Sequence, residues 1–460
     1  MKATNDFSKG SVAKTIFKLA VPMTLAQLIN ILYNVIDRMY IGRITDGSST
    51  ALTGVGVTFP IITIVMAFAN LFGMGGAPLC SIARGKGDNK YAEEIMGNSF
   101  ALLLICGSIL TLTGLIFKTE LLYLFGASDI TFPYADSYIT IYLIGSIFVM
   151  ISLGMNSFIN CQGFAKFGMM NVLLGAVCNI ILDPVFIFLL RLGVKGAAIA
   201  TVISQFLSAL WVLLFLTGKK TILKIKIENL RIRLSNFKKI TYLGLSSFMM
   251  AITNSIVQIV CNTSLQIYGG DLYVGIMTVI NSIREIIMMP VNGITNGAQP
   301  VIGYNYGAMK KDRVISGIKV MSVACIAYTT SIWIVLCLFP VFFIRIFSQD
   351  IDLINYGIPS MHIYFFGFFM MSLQFSGQSV FLSLGRSKNA IFFSLLRKVI
   401  IVAPLTLYLP TIFNLGTNGV FLAEPISNFI GGIACYSTMI YTIKKLFSSP
   451  SSPENFSKAV

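Results

Sequence analysis

Twelve long stretches of this 460-residue chain are almost free of charge, each near or above the length needed to cross a bilayer. A hydrocarbon core about 30 Å thick takes roughly 20 apolar residues of helix to cross, and helix is favoured because lipid offers the backbone no hydrogen-bonding partner. The approximate spans are 15–41, 52–79, 93–117, 136–159, 167–190, 196–217, 240–268, 272–302, 315–340, 357–382, 389–411 and 419–443. Composition agrees: 11% of residues are charged, against about 25% in a soluble domain. Mean hydropathy is +0.80, which excludes a disordered chain as well. An all-α integral membrane protein follows, with twelve transmembrane helices.

The formal net charge of +16 is explained by topology. With the N-terminus inside, 27 of the 34 Lys and Arg residues fall in inner segments and six in outer ones, with Arg284 inside a span. A bias of that size sets orientation, so both termini are expected in the cytoplasm and the chain in the cell membrane. No arginine-rich arm or aromatic-interleaved basic patch points to nucleic acid. The eight cysteines lie almost entirely in apolar runs, without ligand spacing, and are expected as small core residues. No A-x-A-like site ends the first apolar run, which is expected as an uncleaved span. The segment 219–239 carries eight basic residues and one acid, Glu228; a solvated connector and a lipid-headgroup patch both suit it.

The chain repeats itself. LGVKGAAIATVISQF at 192–206 lies over LGTNGVFLAEPISNF at 415–429 with seven identities in fifteen positions. At an offset of 222, Tyr142 meets Tyr364, Gly163 meets Gly385, and Gly75, Pro78 and Gly85 meet Gly297, Pro300 and Gly307. The expected organisation is an N-terminal lobe over 1–218, a connector over 219–239, a C-terminal lobe over 240–445 and a tail over 446–460. Six spans per lobe make the repeat parallel, a transporter plan.

Ionisable residues inside a membrane are costly and mark function by default. Asp37 closes the first span, and Asp183 lies in the fifth, about seven residues from its outer end. Thr201 in the sixth span is at similar depth. Asn179 is four residues before Asp183 and shares its helix face, and Tyr33 stands likewise to Asp37. Asp37, Asn179, Asp183 and Thr201 therefore converge as hard oxygen ligands for Na⁺, or as paired carboxylates able to hold a proton. For Asp37 alone, a helix-end residue near water paired with Arg38 or Arg43 is the plainer role. Pro22 kinks the first span ahead of Asn30 and Tyr33, giving a route from cation occupancy to lobe shape, and Pro184 follows Asp183 directly. Arg284 and Glu285 are adjacent in the eighth span. Arg284 has no partner identifiable from sequence, and Glu285 is either a second proton or drug-cation site or a structural group. Glu424 stands at the repeat position of Thr201, at an outer helix end facing water, and His362 is expected at the interface. Met249, Met288 and Met289 belong to methionine pairs of the second lobe that suit a cavity taking varied apolar shapes.

The order of YNVIDRMYIG around Asp37, NIILDPVF around Asp183, LGVKGAAIAT with Thr201, and PVNGITNGAQPVIGYNYGA resembles the multidrug and toxic compound extrusion (MATE) family over nearly the whole chain. That resemblance implies an outward-opening V of two six-helix bundles, acting as a monomer without cofactor. It implies export of organic cations and other amphiphiles in exchange for H⁺ or Na⁺ bound at Asp37, Asn179, Asp183 and Thr201. Spans seven and ten lack the acidic residues of the NorM branch, so the chain is more similar to the DinF/MepA-like branches. A flippase for lipid-linked precursors, or a metabolite exporter, is the competing transporter class. No P-loop, nucleophile elbow or H-E-x-x-H is present, so no enzymatic activity is expected.

Overall fold

The computed structural model describes residues 6–44, 48–412 and 414–448, and these are helical with no strand. The spans appear in the expected order as α1 (Val12–Ile41), α2 (Ser48–Gly85), α3 (Asn89–Ile116), a short α4 (Lys118–Leu124), α5 (Phe132–Cys161), α6 (Ala165–Pro184) and α7 (Val194–Thr217). They continue as α8 (Leu234–Gly307), α9 (Lys311–Leu338), a short α10 (Pro340–Arg345), α11 (Ile351–Tyr364), α12 (Phe369–Ser383), α13 (Ser387–Leu395), α14 (Ala403–Ile412) and α15 (Thr417–Ser448). Among the described residues ten helices are long and apolar enough to cross a membrane, and α11 with α12, bent by 51° at their junction, make an eleventh span. The 74-residue α8 is broken at Gly270, whose φ of 68° is non-helical. Each side of that break exceeds the roughly 20 residues a crossing needs, which gives twelve.

The repeat has structural counterparts beyond its identities. Gly163 and Gly385, 222 positions apart, both have positive φ. Each follows a helix end at which the next residue's N–H reaches back five positions, Phe164 to Ile159 and Arg386 to Phe381. Only a residue without Cβ takes that left-handed turn at no steric cost. The short helices α4 and α10, which hydropathy does not reveal, start 222 positions apart as well.

Packing divides the chain into two compact units, one built from Pro22–Gly244 and the other from Phe7–Val21 together with the chain from Leu245 onward. In the first unit α5 is central, flanked by α2, α3 and α7, with α6 against α7. Small residues let these backbones approach: a Cβ on Gly73 would strike the Gly154 backbone, and one on Gly75 would strike the Ile240 carbonyl. In the second unit α12 packs on α15 and α9, and α14 on α15.

Two details depart from the expected lobe boundaries of 218 and 240. The first helical turns join the second unit because Arg313 donates to the carbonyls of Phe7, Lys9 and Gly10, and Asn305 Nδ2 donates to that of Phe7. Gly297 also lies close against Ala20. The connector, in turn, is part of the first unit rather than a solvated strap. Gln162 Oε1 accepts from Thr221 Oγ1, Ile222 N and Leu223 N at 2.9, 3.0 and 2.8 Å. Asn98 brackets Asn229, Arg231 and Arg233, and Glu93 and Glu94 pair with Lys226 and Arg233. Of the expected tail, 449–460 lies outside the described residues.

Candidate functional site

Asp183 is reached from two directions. On α6, Asn179 lies one turn earlier on the same face, and its Nδ2 donates to Asp183 Oδ1 at 3.3 Å and to Thr201 Oγ1 of α7 at 3.4 Å. From α1, the Asp37 carboxyl comes within electrostatic reach of that of Asp183. Pro184 offers no N–H, and beyond it the helix widens into the π-helical turn Val185–Leu189. That is the local irregularity proline induces, and it places Asp183 at the last regular turn of α6. Asp183, Asn179 and Thr201 are all buried.

The four residues expected to converge do so. Tyr33, one turn before Asp37, lies within electrostatic reach of both carboxyls. Two further groups of this site went unseen in the sequence: Tyr138 of α5 lies within electrostatic reach of Asp37 and Tyr33, and Tyr142 stacks on Tyr138 with centroids 6.4 Å apart. Their four-residue spacing on an apolar helix was the only available signal. Asn30 serves α1 itself, its carbonyl accepting from Asn34 Nδ2 at 2.6 Å. Pro22 is buried within α1, and the two packing units divide immediately before it.

Asp37 Oδ1, Asp183 Oδ2 and Asn179 Oδ1 are buried without a hydrogen-bond donor. Buried acceptors in native structures are normally satisfied, so three orphaned oxygens drawn from α1 and α6 can accept from an electropositive partner. Their chemistry fits a proton between the carboxyls or a small hard cation.

The second unit holds a different cluster, and here the sequence expectations need revision. Glu424 does not face water. It is buried on α15 and meets three cations: Lys398 Nζ at 3.2 and 3.3 Å, Arg397 Nη1 at 3.4 Å and Arg284 Nη1 at 3.6 Å. The distribution of basic residues along the sequence puts Arg397 and Lys398 with a cytoplasmic segment. They lie instead, fully enclosed, in the π-helical stretch Leu396–Val402 between α13 and α14. Without them the inner basic residues number 25, still against six. Arg284 finds the partners that sequence could not name, donating to Tyr364 Oη at 2.7 Å and approaching Glu424. Arg397 also donates to Asn428 Oδ1 at 2.7 Å.

Beside this cluster is a cavity of about 170 Å³. Arg284, Glu285, Tyr364, Lys398 and Glu424 line it, together with Asn254, Gln258, Asn281 and Met277. Met249, Met288 and Met289 do not; the latter two are buried in α8. His362 ends α11, its Nε2 at 3.3 Å from the Cys337 carbonyl.

The MatE family model matches residues 22–185 and 246–408, one copy in each half of the repeat. The chain is 25% identical over 437 residues to the multidrug export protein MepA of Staphylococcus haemolyticus, covering 94% of this chain and 95% of that one. Among solved structures, a MOP superfamily transporter from Pyrococcus furiosus superposes with a TM-score of 0.89 at 22% identity, over 96% of this chain and 98% of the other. An outward-facing multidrug resistance MATE family transporter gives 0.89 and 22%, over 97% and 99%.

Proposed function

This chain belongs to the MatE family of multidrug and toxic compound extrusion transporters, and from that premise we propose that it is a secondary multidrug efflux antiporter exporting amphiphilic organic compounds in exchange for H⁺ or Na⁺. The MepA proteins to which it is similar over most of its length are multidrug exporters, which supports the substrate class. The coupling ion is assigned to the first unit, and one observation carries that assignment: Asp37, Asn179 and Asp183, neighbours in the fold, each keep a buried oxygen without a hydrogen-bond donor.

In this reading the ion neutralises the Asp37–Asp183 pair. Coupling requires that ion and drug favour different states of the protein, since a ligand that binds both states equally shifts nothing. Pro22 lies where α1 passes from one packing unit to the other, which suits it to transmit the change. Work is drawn from an ion gradient, with no cofactor, and the monomer is the transporting unit. The protein resides in the cell membrane with both termini in the cytoplasm, a reading supported by the distribution of basic residues.

The test is ethidium transport in proteoliposomes under separately imposed H⁺ and Na⁺ gradients. Wild-type protein is expected to respond to one gradient, and Asp37→Asn and Asp183→Asn to lose that response while remaining monodisperse. Gradient-driven transport by Asp37→Asn at wild-type rate would overturn the assignment.

A further inference from the structure

Building on the exporter reading, we propose that the cavity of the second unit is an anion-binding subsite, in which Arg284 receives the carboxylate, phosphate or sulfonate of a zwitterionic or anionic amphiphile. Charge balance is the first argument. Arg284, Arg397 and Lys398 surround one carboxylate, Glu424. Glu285 also lines the cavity, and with it counted the cluster retains one positive charge in excess. Buried charge is stable only when paired, so this arrangement is one anion short.

Geometry says which cation is left over. Glu424 Oε1 is within 3.4 Å of both Lys398 and Arg397, and Oε2 is held by Lys398. Arg284 is farther, at 3.6 Å, beyond hydrogen-bonding distance. Of its five N–H donors the only hydrogen bond it makes among the described residues is to Tyr364 Oη. Its side chain is 21% exposed, against 3% and 4% for Arg397 and Lys398, and it lines the cavity. Asn254, Gln258 and Asn281 also line the cavity; their amides have no hydrogen-bond partner among the described residues and can orient a polar head. A volume of about 170 Å³ holds such a head and not a whole drug. The repeat adds a contrast: Glu424 and Tyr364 occupy the positions of Thr201 and Tyr142, so the two units carry related sites of opposite polarity, acidic in the first and cationic in the second.

The experiment measures equilibrium binding of rhodamine B, a free acid, and its ethyl ester by fluorescence anisotropy to full-length protein in phosphatidylcholine nanodiscs. Wild-type protein is expected to bind the acid at least about ten-fold tighter than the ester, the worth of a charge-assisted hydrogen bond. Arg284→Gln should bring the ratio to within about two-fold, and Arg284→Lys should keep most of it. Arg284→Gln leaves Glu424 paired with Lys398 and Arg397, so the fold has no reason to fail, and ester binding reports its integrity. An acid-to-ester ratio near one in wild-type protein, or a ratio unaffected by Arg284→Gln, overturns the proposal. Phosphatidylglycerol nanodiscs separate the sources of the anion: weakened acid binding there assigns the subsite to lipid headgroups, and unchanged binding to soluble amphiphiles. Loss of gradient-driven ethidium transport with the acid preference intact would overturn the exporter reading alone.

Discussion

Replacing Glu424 with Gln keeps the shape of the side chain and removes the one negative charge shared by three cations. Lys398 and Arg397 are then left enclosed, with side chains 4% and 3% exposed, and neither can swing to water. Deleting one partner of a buried ion pair costs about 3–5 kcal/mol, because the surviving charge stays desolvated and unpaired. Arg397 keeps its bond to Asn428, which places the expected cost at the lower end, about 3 kcal/mol, or on the order of a hundred-fold in the folded-to-unfolded ratio. Equilibrium unfolding by SDS in mixed micelles measures it. The partner experiment is Glu424→Gln combined with Lys398→Met, which removes a stranded cation along with the anion. The double variant should be more stable than Glu424→Gln alone, with a coupling energy of about 1–3 kcal/mol. A cost below about 1 kcal/mol for the single variant, or a double variant less stable than the single, would show that the cluster is solvated and that its charges are not held by one another.

Two further perturbations probe the first unit. Gln162→Ala removes the single oxygen that holds Thr221, Ile222 and Leu223; at about 1 kcal/mol for each hydrogen bond, trypsin cleavage between Lys219 and Lys239 should quicken by on the order of ten-fold or more, and an unchanged rate would mean that other contacts hold the connector. Gly75→Leu sets a side chain against the Ile240 carbonyl and the Gly244 backbone, neither of which can yield cheaply, so folded yield should collapse; Gly56→Leu, where nothing lies within 4 Å, should be tolerated, and equal yields would refute the close-approach argument.

What the sequence made legible follows from which interactions leave a periodic trace. Lipid exposure imposes long apolar runs, and so the spans and their repeat could be read directly, as could Asn179 and Asp183 from their four-residue spacing. The short helices α4 and α10 were hidden because amphipathic turns at a span's end lack the length that hydropathy detects. The connector was misjudged because its partners, Gln162, Asn98, Glu93 and Glu94, stand 59–142 positions away, and no local pattern encodes a bond of that range.

Arg397 and Lys398 were the instructive miss, since their signal was present and was outweighed. They lie some ten residues into a span drawn at 389–411, far deeper than a flanking loop reaches, yet a rule that assigns basic residues to the cytoplasm absorbed them. The same rule that correctly orients a membrane chain thus hides the few cations it keeps inside. The remedy is to weigh depth before sign. A Lys or Arg more than about two turns inside a span carries the desolvation cost that makes an intramembrane carboxylate conspicuous, and it demands a named partner for the same reason. Applied here, that demand leads from Lys398 to Glu424, from Glu424 to Arg284, and from Arg284 to the cavity it lines.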